Sequence, residues 1–332
     1  MDARLSGKRV LVTGGLGYIG KHVVKAFLEA GAGYVEIWDI KKGFTKDGSN
    51  LGWAHVHGVL GRTGYLNIDI TEHVKLLDYY AEHEHFDIVI NLAALADVPS
   101  CEANPDRAMK VNVDGMKKVM SLANVWGALF IQADSAMSPF ANSSMYAKSK
   151  WIAKELVSAN RTEGFSSICL TMYNVAGAHP NREIGEDHDP ETHLIPNAIN
   201  AVLTNKVFKL DSNADVIKRD FIHVCDVASA FVRAALRYAD GCLALKDYEV
   251  GFGRALSIKN VLAMVIEHNW TSNELKWELV ETGRWEPYKN GVISFAANRD
   301  NRLPDWEPKY TVSDMIYHQF KFAEERLPVT TD

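Results

Sequence analysis

Only four cysteines (Cys101, Cys169, Cys225 and Cys242) occur among the 332 residues, and none stands at C-x-x-C spacing. That argues against a zinc ribbon and against a disulfide framework, and it suits a reducing, cytoplasmic setting. No apolar run approaches the roughly 18 residues that a membrane span requires, and the leading "MDARLSGKRVLVTGG" lacks the apolar core of a secretory signal. No membrane partner is expected. The net charge of −6 is spread along the chain without a basic stripe, so nucleic acid is not expected either. His55, His57, His83, His85, His188 and His193 share no helix face at ligand spacing. They read as solvent or loop residues, and no metal is expected. Repeats and low-complexity segments are also missing.

What remains is a globular chain, 47% apolar and 23% charged. It is long enough to bury roughly three-quarters of its unfolded surface, in one large or two modest domains. "KRVLVTGG" is a β-branched run ending in glycine, followed by the helical pattern "YIGKHVVKAFLEAGA" and a second strand, "YVEIWDI". Strands "FDIVINLAA", "ALFIQADS" and "SSICLTMYN" follow, separated by helical segments near 72–83, 104–126 and 146–163. The alternation predicts an α/β fold with a doubly wound parallel sheet. Residues 1–174, with 220–240 returning to them, form the expected first domain. Residues 175–332 form a smaller, partly interleaved substrate domain, and 41–65 a long connection.

"TGGLGYIG" places Gly14, Gly17, Tyr18, Ile19 and Gly20 between strand and helix, spaced G-x-x-G-x-x-G. Such glycines let the backbone turn tightly and approach a pyrophosphate seated at a helix N-terminus. Asp39, ending the next strand, would accept hydrogen bonds from the adenosine ribose and repel a 2′-phosphate, which favours NAD over NADP. Asp69 and Ile70 of "NIDIT" are candidates for the adenine side. Leu92, Ala93 and Ala94, after the third of these strands, are candidates for the cofactor's other face.

Tyr146 and Lys150, four apart in "SSMYAKSKW", share a helix face one turn apart. A phenol with pKa near 10 becomes a usable base beside an ammonium and an oxidised nicotinamide, about 4 kcal/mol of differential interaction for three units. Ser135 ends the strand "ALFIQADS", at the sheet edge where open α/β folds bind ligands, and could share a hydrogen bond with Tyr146 and a substrate oxygen. Trp270, Trp277 and Trp285 are expected to pack the small domain, and Met116 and Met120 to lie in the core or on a dimer face.

With these residues in hand, the chain resembles the extended short-chain dehydrogenase/reductase family, whose fold is of the Rossmann type. "MYNVAGAHPNREIGEDHDPETHLIP" and "KRDFIHVCDVASAF" narrow the resemblance to UDP-glucose 4-epimerases, with a fainter match at "SFAANRDNRLPDWEP". The resemblance implies catalysis by Ser135, Tyr146 and Lys150, with Asn112 of "KVNVDG" on the cofactor loop. It implies nucleotide-sugar contacts from Asn174, His193, Leu194, Arg219 and Arg284. The implied reaction interconverts UDP-glucose and UDP-galactose through a transient 4-keto sugar and enzyme-bound NADH. Phe295 falls near a position where bulk restricts the family to sugars without an N-acetyl group, and family members often pair as homodimers through a four-helix bundle.

Departures from the family pattern are also visible. Only ten residues separate Ser135 from Tyr146, Ala96 replaces a lysine that many epimerases place near the cofactor, and "DSNADVIK" is compressed. Two other classes stand beside the epimerase. A nucleotide-sugar 4,6-dehydratase would carry Asp-Glu directly after the catalytic serine, where this chain has Ala136 and Met137. A non-catalytic NAD-binding sensor or scaffold would have no need of Ser135, Tyr146 and Lys150 together.

Overall fold

The computed structural model describes residues 2–41, 60–72, 84–162, 165–188, 191–212, 214, 216–269, 271, 273–280 and 294–326. The helix expected near 72–83, most of the connection over 41–65, His55, His57, His83, Trp270, Arg284 and Trp285 lie outside these residues.

The chain forms two compact units: Met1–Met172 with Ala228–Glu249 and Asn301–Trp306, and Tyr173–Val227 with Val250–Asp300 and Glu307–Asp332. In the first, β1 (Arg9–Thr13), β2 (Tyr34–Asp39), β3 (Thr63–Asn67), β4 (Ile88–Asn91), β5 (Leu129–Ser135), β6 (Ser167–Met172) and β10 (Asp247–Val250) make a seven-stranded sheet ordered β10-β6-β5-β4-β1-β2-β3. Every ladder from β3 through β6 is parallel. The order reverses at β1, flanked by β2 and β4, so the loops after β1 and β4 diverge at the sheet's carboxyl edge.

Val10, Leu11 and Val12 of β1 are fully buried, as an unbroken apolar run in a two-sided sheet should be. Each contributes about 1.5–3 kcal/mol of hydrophobic stabilisation. Helix α1 (Tyr18–Ala30) buries Gly20, Val23, Val24, Phe27 and Leu28 along one stripe, and Gly31 ends it in the left-handed region.

The segment expected as one helix over 104–126 is broken. Helices α2 (Val98–Ala103) and α3 (Pro105–Met109) lead into a π-helical segment, Lys110–Gly115, and then α4 (Met116–Trp126). Pro105 starts α3 because the residue before a proline avoids helical backbone. Met116 and Met120 are buried in the sheet's core cluster. Helix α5 (Met145–Thr162) follows the short loop after β5 and buries Ala147, Lys150, Ala153 and Val157.

In the second unit β9 (Lys218–His223) is the hub: β7 (Asn174–Ala176) and β13 (Ser294–Phe295) pair with it in parallel and β11 (Ala255–Ser257) antiparallel. That pairing holds β9 in the second unit, so the chain re-enters the first at Ala228, within α7 (Val224–Ala239), rather than at 220. Helices α6 (Leu194–Leu203), α8 (Ile258–Glu267) and α9 (Val312–Glu324) supply a separate core around Ile195, Ile199, Val261, Met315 and Phe320. Parallel strands β8 (Val207–Asp211) and β12 (Lys276–Val280) form a two-stranded sheet. Trp277, expected to pack this unit, is 51% exposed, on a strand that lies in a sheet of only two strands.

Asp220 fastens the second unit. Fully buried, it accepts from the N–H groups of Phe252 (3.0 Å), Gly253 (2.8 Å) and Ala297 (3.0 Å). Asp220→Ala orphans three donors, one buried and two partly buried, and we expect a loss of about 3 kcal/mol or more, read from the urea midpoint. A shift within about 0.5 kcal/mol would disprove the assignment.

Candidate active site

The sheet edge at β1, β4 and β5 is built from buried polar groups. Thr13 Oγ1 donates to Asn91 Oδ1 (2.6 Å), Asn91 Nδ2 donates to Gln132 Oε1 (2.9 Å), and all three residues are buried. The sequence reading missed this belt, whose one signal is a Gln inside the apolar run "ALFIQADS". The Ala93 N–H reaches Thr13 Oγ1 at 3.3 Å and the Leu92 N–H reaches the Thr13 carbonyl at 3.1 Å, so Leu92 to Ala94 leave the sheet beside the glycine loop.

Gly14 has φ +68°, and a Cβ there would stand 2.8 Å from Ala93 N. No other residue type lets the two loops meet so closely. Gly17 forms the N-cap of α1, whose first turn contains no acidic side chain. The positive end of the helix dipole is therefore left for an anion. Asp39 Oδ2 accepts from Leu16 N–H (2.9 Å) and Oδ1 from Lys41 N–H (2.9 Å). A carboxylate has about four lone-pair sites, so both oxygens can still accept a hydroxyl.

Asp69 pairs with Arg107 at 2.9 Å and accepts from Thr71 N–H. Burial works to raise its pKa, but those two donors outweigh it and hold it below the usual carboxylate value. Ile70 is buried against Gly115. Asn112, in the π-helical segment, accepts from Leu95 N–H (2.8 Å) and donates to Leu95 O (3.0 Å) and Ser149 Oγ (2.9 Å). It fixes the loop after β4 to the helix that carries Tyr146, which is how a π-bulge commonly serves a site.

Ser135, Tyr146 and Lys150 come together. Ser135 Oγ accepts from Met137 N–H at 3.2 Å, and the Ser135 hydroxyl acts to lower the Tyr146 pKa. Lys150 is buried, donates to the Ala133 carbonyl at 3.0 Å, and stands 6.0 Å from the Tyr146 ring centre. Burial lowers the Lys150 pKa, with Asp134 opposing. Burial pushes Tyr146 from 10.0 up to about 12; Ser135 offsets part of this and Asp134 adds to it. The protein's own groups therefore leave the phenol a weak acid, and the sequence reading asks for a second positive charge, the oxidised nicotinamide, beside it.

Asp134 was not foreseen. It is 2% exposed, accepts from Thr171 Oγ1 (2.8 Å) and from Ser138, and pairs with Lys154 at 3.2 Å. It ties the short loop after Ser135 back onto β5 and β6. Ser144 starts α5, its Oγ accepting from Ala147 N–H at 3.1 Å.

Residues 10–251 match the model of the NAD dependent epimerase/dehydratase family. The chain belongs to that family. NAD is accordingly its cofactor. Among similar proteins, a UDP-glucose 4-epimerase of Halalkalibacterium halodurans is 27% identical over 339 residues, 95% of this chain and 96% of that one. One of Azospirillum brasilense is 30% identical over 292 residues, 80% and 79% of the two chains. A solved UDP-glucose 4-epimerase from Stenotrophomonas maltophila, with bound NAD and formylated UDP-arabinopyranose, superposes with a TM-score of 0.80 at 21% identity. It covers 96% of this chain and 98% of its own. The residues present fit the family's cofactor: a glycine cradle that a Cβ would fill, a helix start without acid, and a buried carboxylate, Asp39, at the end of β2.

The other sequence-derived candidates lie in the second unit. Asn174 donates to the Asp220 carbonyl at 2.9 Å. Arg219 is buried, donates to the Lys218 carbonyl (2.8 Å) and stacks 4.7 Å over the Phe295 ring. Leu194 opens α6 and His193 is its N-cap. His188 and His193, expected as ordinary loop residues, meet edge-on with ring centres 5.3 Å apart beside Glu186 and Glu191.

Proposed function

We propose that the protein is a nucleotide-sugar 4-epimerase acting on UDP-glucose and UDP-galactose or a close analogue. The observation that supports this best is the Tyr146 phenol set beside the Ser135 hydroxyl and the Lys150 ammonium, with no carboxylate pair after Ser135. A 4,6-dehydratase needs such a pair to eliminate water across C5 and C6.

Tyr146 moves the proton at the sugar's 4-hydroxyl, removing it as the C4–H bond breaks and returning it when the hydroxyl re-forms with opposite configuration. Ser135 holds the 4-oxygen through a shared hydrogen bond. Lys150, buried beside the phenol, favours the phenolate through its ammonium and holds the nicotinamide ribose. When bound, NAD supplies the hydride acceptor and a positive ring beside the phenol. Gly14, Gly17, Tyr18, Ile19, Gly20, Asp39, Asp69, Ile70, Leu92, Ala93 and Ala94 are assigned to holding it.

For the nucleotide sugar we assign Asn174, His193, Leu194, Arg219 and Arg284. Anchoring through the diphosphate, for which a guanidinium is geometrically suited, leaves the hexosyl group able to turn over. Phe295 is assigned to excluding N-acetyl sugars. We further propose a homodimer through α4 and α5, supported by the outward apolar side chains Val125 (60% exposed) and Trp151 (44%). A cytoplasmic location is supported by four cysteines outside any disulfide. Among the described residues no helix is long and apolar enough to cross a membrane.

The test is incubation with UDP-galactose and with UDP-N-acetylgalactosamine, with and without added NAD, following the 4-epimer by NMR. We expect conversion of UDP-galactose and at least about tenfold slower conversion of the N-acetyl sugar. No conversion of either, with NAD binding intact, would overturn the epimerase assignment.

A further inference from the structure

Glu186, His188, Glu191 and His193 offer one ligand atom each, and these four atoms all lie within 4.8 Å of one another. They follow one another at spacings of two, three and two residues in the loop that leads into α6. His193 Nδ1 is 2.5 Å from Glu186 Oε1 and 3.6 Å from Glu191 Oε1. His188 Nδ1 is 3.7 Å from Glu186 Oε1 and 3.9 Å from Glu191 Oε2. With metal–ligand bonds of about 2.0–2.2 Å, the edge of a tetrahedral zinc site is roughly 3.4 Å. Three of the four separations, taken to the nearer Glu191 oxygen in each case, are within half an ångström of that edge, and the fourth is the hydrogen bond that an ion would replace.

A second observation points to a ligand. The Glu186 side chain is 1% exposed, and its Oε2 is buried without a hydrogen-bond partner among the described residues. Neither Glu186 nor Glu191 pairs with a lysine or arginine among the described residues; both face the imidazoles of His188 and His193, and Glu191 also accepts backbone N–H groups. Buried carboxylates without such partners are costly unless they coordinate a cation.

The outer layer is built as well. Glu191 accepts from the N–H groups of His188 (3.3 Å), Thr192 (2.8 Å) and His193 (2.9 Å), which fixes its orientation. Gln319 of α9 grips the Glu186 backbone from both sides, accepting from its N–H at 3.2 Å and donating to its carbonyl at 2.8 Å. Such partners orient ligands and tune a metal.

We propose that Glu186, His188, Glu191 and His193 form a closed structural site for a divalent transition-metal ion of the zinc class, clasping the 186–193 loop against α6 and α9. Two imidazoles with two carboxylates suit zinc better than calcium or magnesium, which take all-oxygen sets, and no thiolate is present to select copper(I). Four protein ligands leave no open position, so the ion's role is to hold the loop rather than to activate water. The site shares His193 with the nucleotide-sugar assignment above, and its test reads metal binding rather than turnover.

The test uses the full chain, stripped with chelator and titrated with zinc chloride against a chromophoric competitor, and with cobalt(II) chloride as a spectroscopic probe. We expect one zinc ion per chain, the intense visible bands of tetrahedral cobalt, and an affinity lower by about 100-fold or more in His188→Ala and in Glu191→Gln. A control, His85→Ala, should bind as the parent does. Circular dichroism of each variant separates a lost ligand from a lost fold, and the cobalt spectrum of the unsubstituted chain needs no variant at all. Absence of zinc binding, unchanged affinity in both folded ligand variants, weak octahedral cobalt bands, or thiolate-to-cobalt absorption from the cysteines would each overturn the proposal.

Discussion

Tyr146→Phe is expected to lower turnover of UDP-galactose by about 10³-fold or more while leaving NAD binding intact. The substitution removes one oxygen, the atom assigned to carry the transferred proton, and keeps the ring and its packing. Ser135 cannot replace it: an alcohol is a far weaker acid than a phenol, and Ser135 Oγ already accepts the Met137 N–H at 3.2 Å. The same variant has a signature in stability that a merely packed tyrosine would lack. The folded-state pKa, about 12, lies above the ordinary 10.0, so the native state holds this proton more tightly than the unfolded chain does. The stabilisation is complete below pH 10 and is lost as pH rises toward 12, about 2–3 kcal/mol in all. Urea midpoints at pH 8 and pH 11 should therefore diverge more for the parent than for Tyr146→Phe. Equal divergence, or turnover within tenfold of the parent, would remove Tyr146 from its assigned role.

Gly20→Ala should be as damaging, by a different route. Its Cβ would overlap the Gly14 carbonyl oxygen and stand 2.7 Å from Gly15 Cα, both rigid backbone atoms. The first turn of α1 must then move away from β1, costing about 2–3 kcal/mol and widening the cradle. We expect NAD affinity to fall by about 100-fold, measured by titration calorimetry, alongside a lower urea midpoint. Gly61→Ala is the control: nothing lies within 4 Å of a Cβ there, and an exposed site of this kind should shift stability by no more than about 0.5 kcal/mol. Parent-like NAD binding by a folded Gly20→Ala variant would show that close packing of helix on loop is not what the cradle needs.

Much of the first unit was legible because local chemistry and global position agree there. The glycine loop, β1, α1 and the Ser135, Tyr146 and Lys150 set follow from period, spacing and the rule that open sheets bind at their carboxyl edge. Other features depend on tertiary partners that no period encodes. The π-helical segment at Lys110–Gly115 reads as ordinary helix until Asn112 is seen holding Leu95 and Ser149. The rise in the Tyr146 pKa comes from burial and from Asp134, whereas spacing reveals only Lys150. The Glu186, His188, Glu191 and His193 cluster is invisible to a search along helix faces, because an irregular loop brings its ligands together.

The path of the chain carries a consequence for synthesis. The first unit is assembled from three stretches, the last of them Asn301–Trp306, where Trp306 Nε1 donates to Ser229 Oγ at 2.9 Å. Its sheet gains β10 only after the 55 residues of Tyr173–Val227 have been made. A ribosome therefore releases neither unit as a finished body before the other is largely made. Folding in sequence, one domain and then the next, is closed to this chain, and the cell must shelter the open edge of β6 until Val250 has been made.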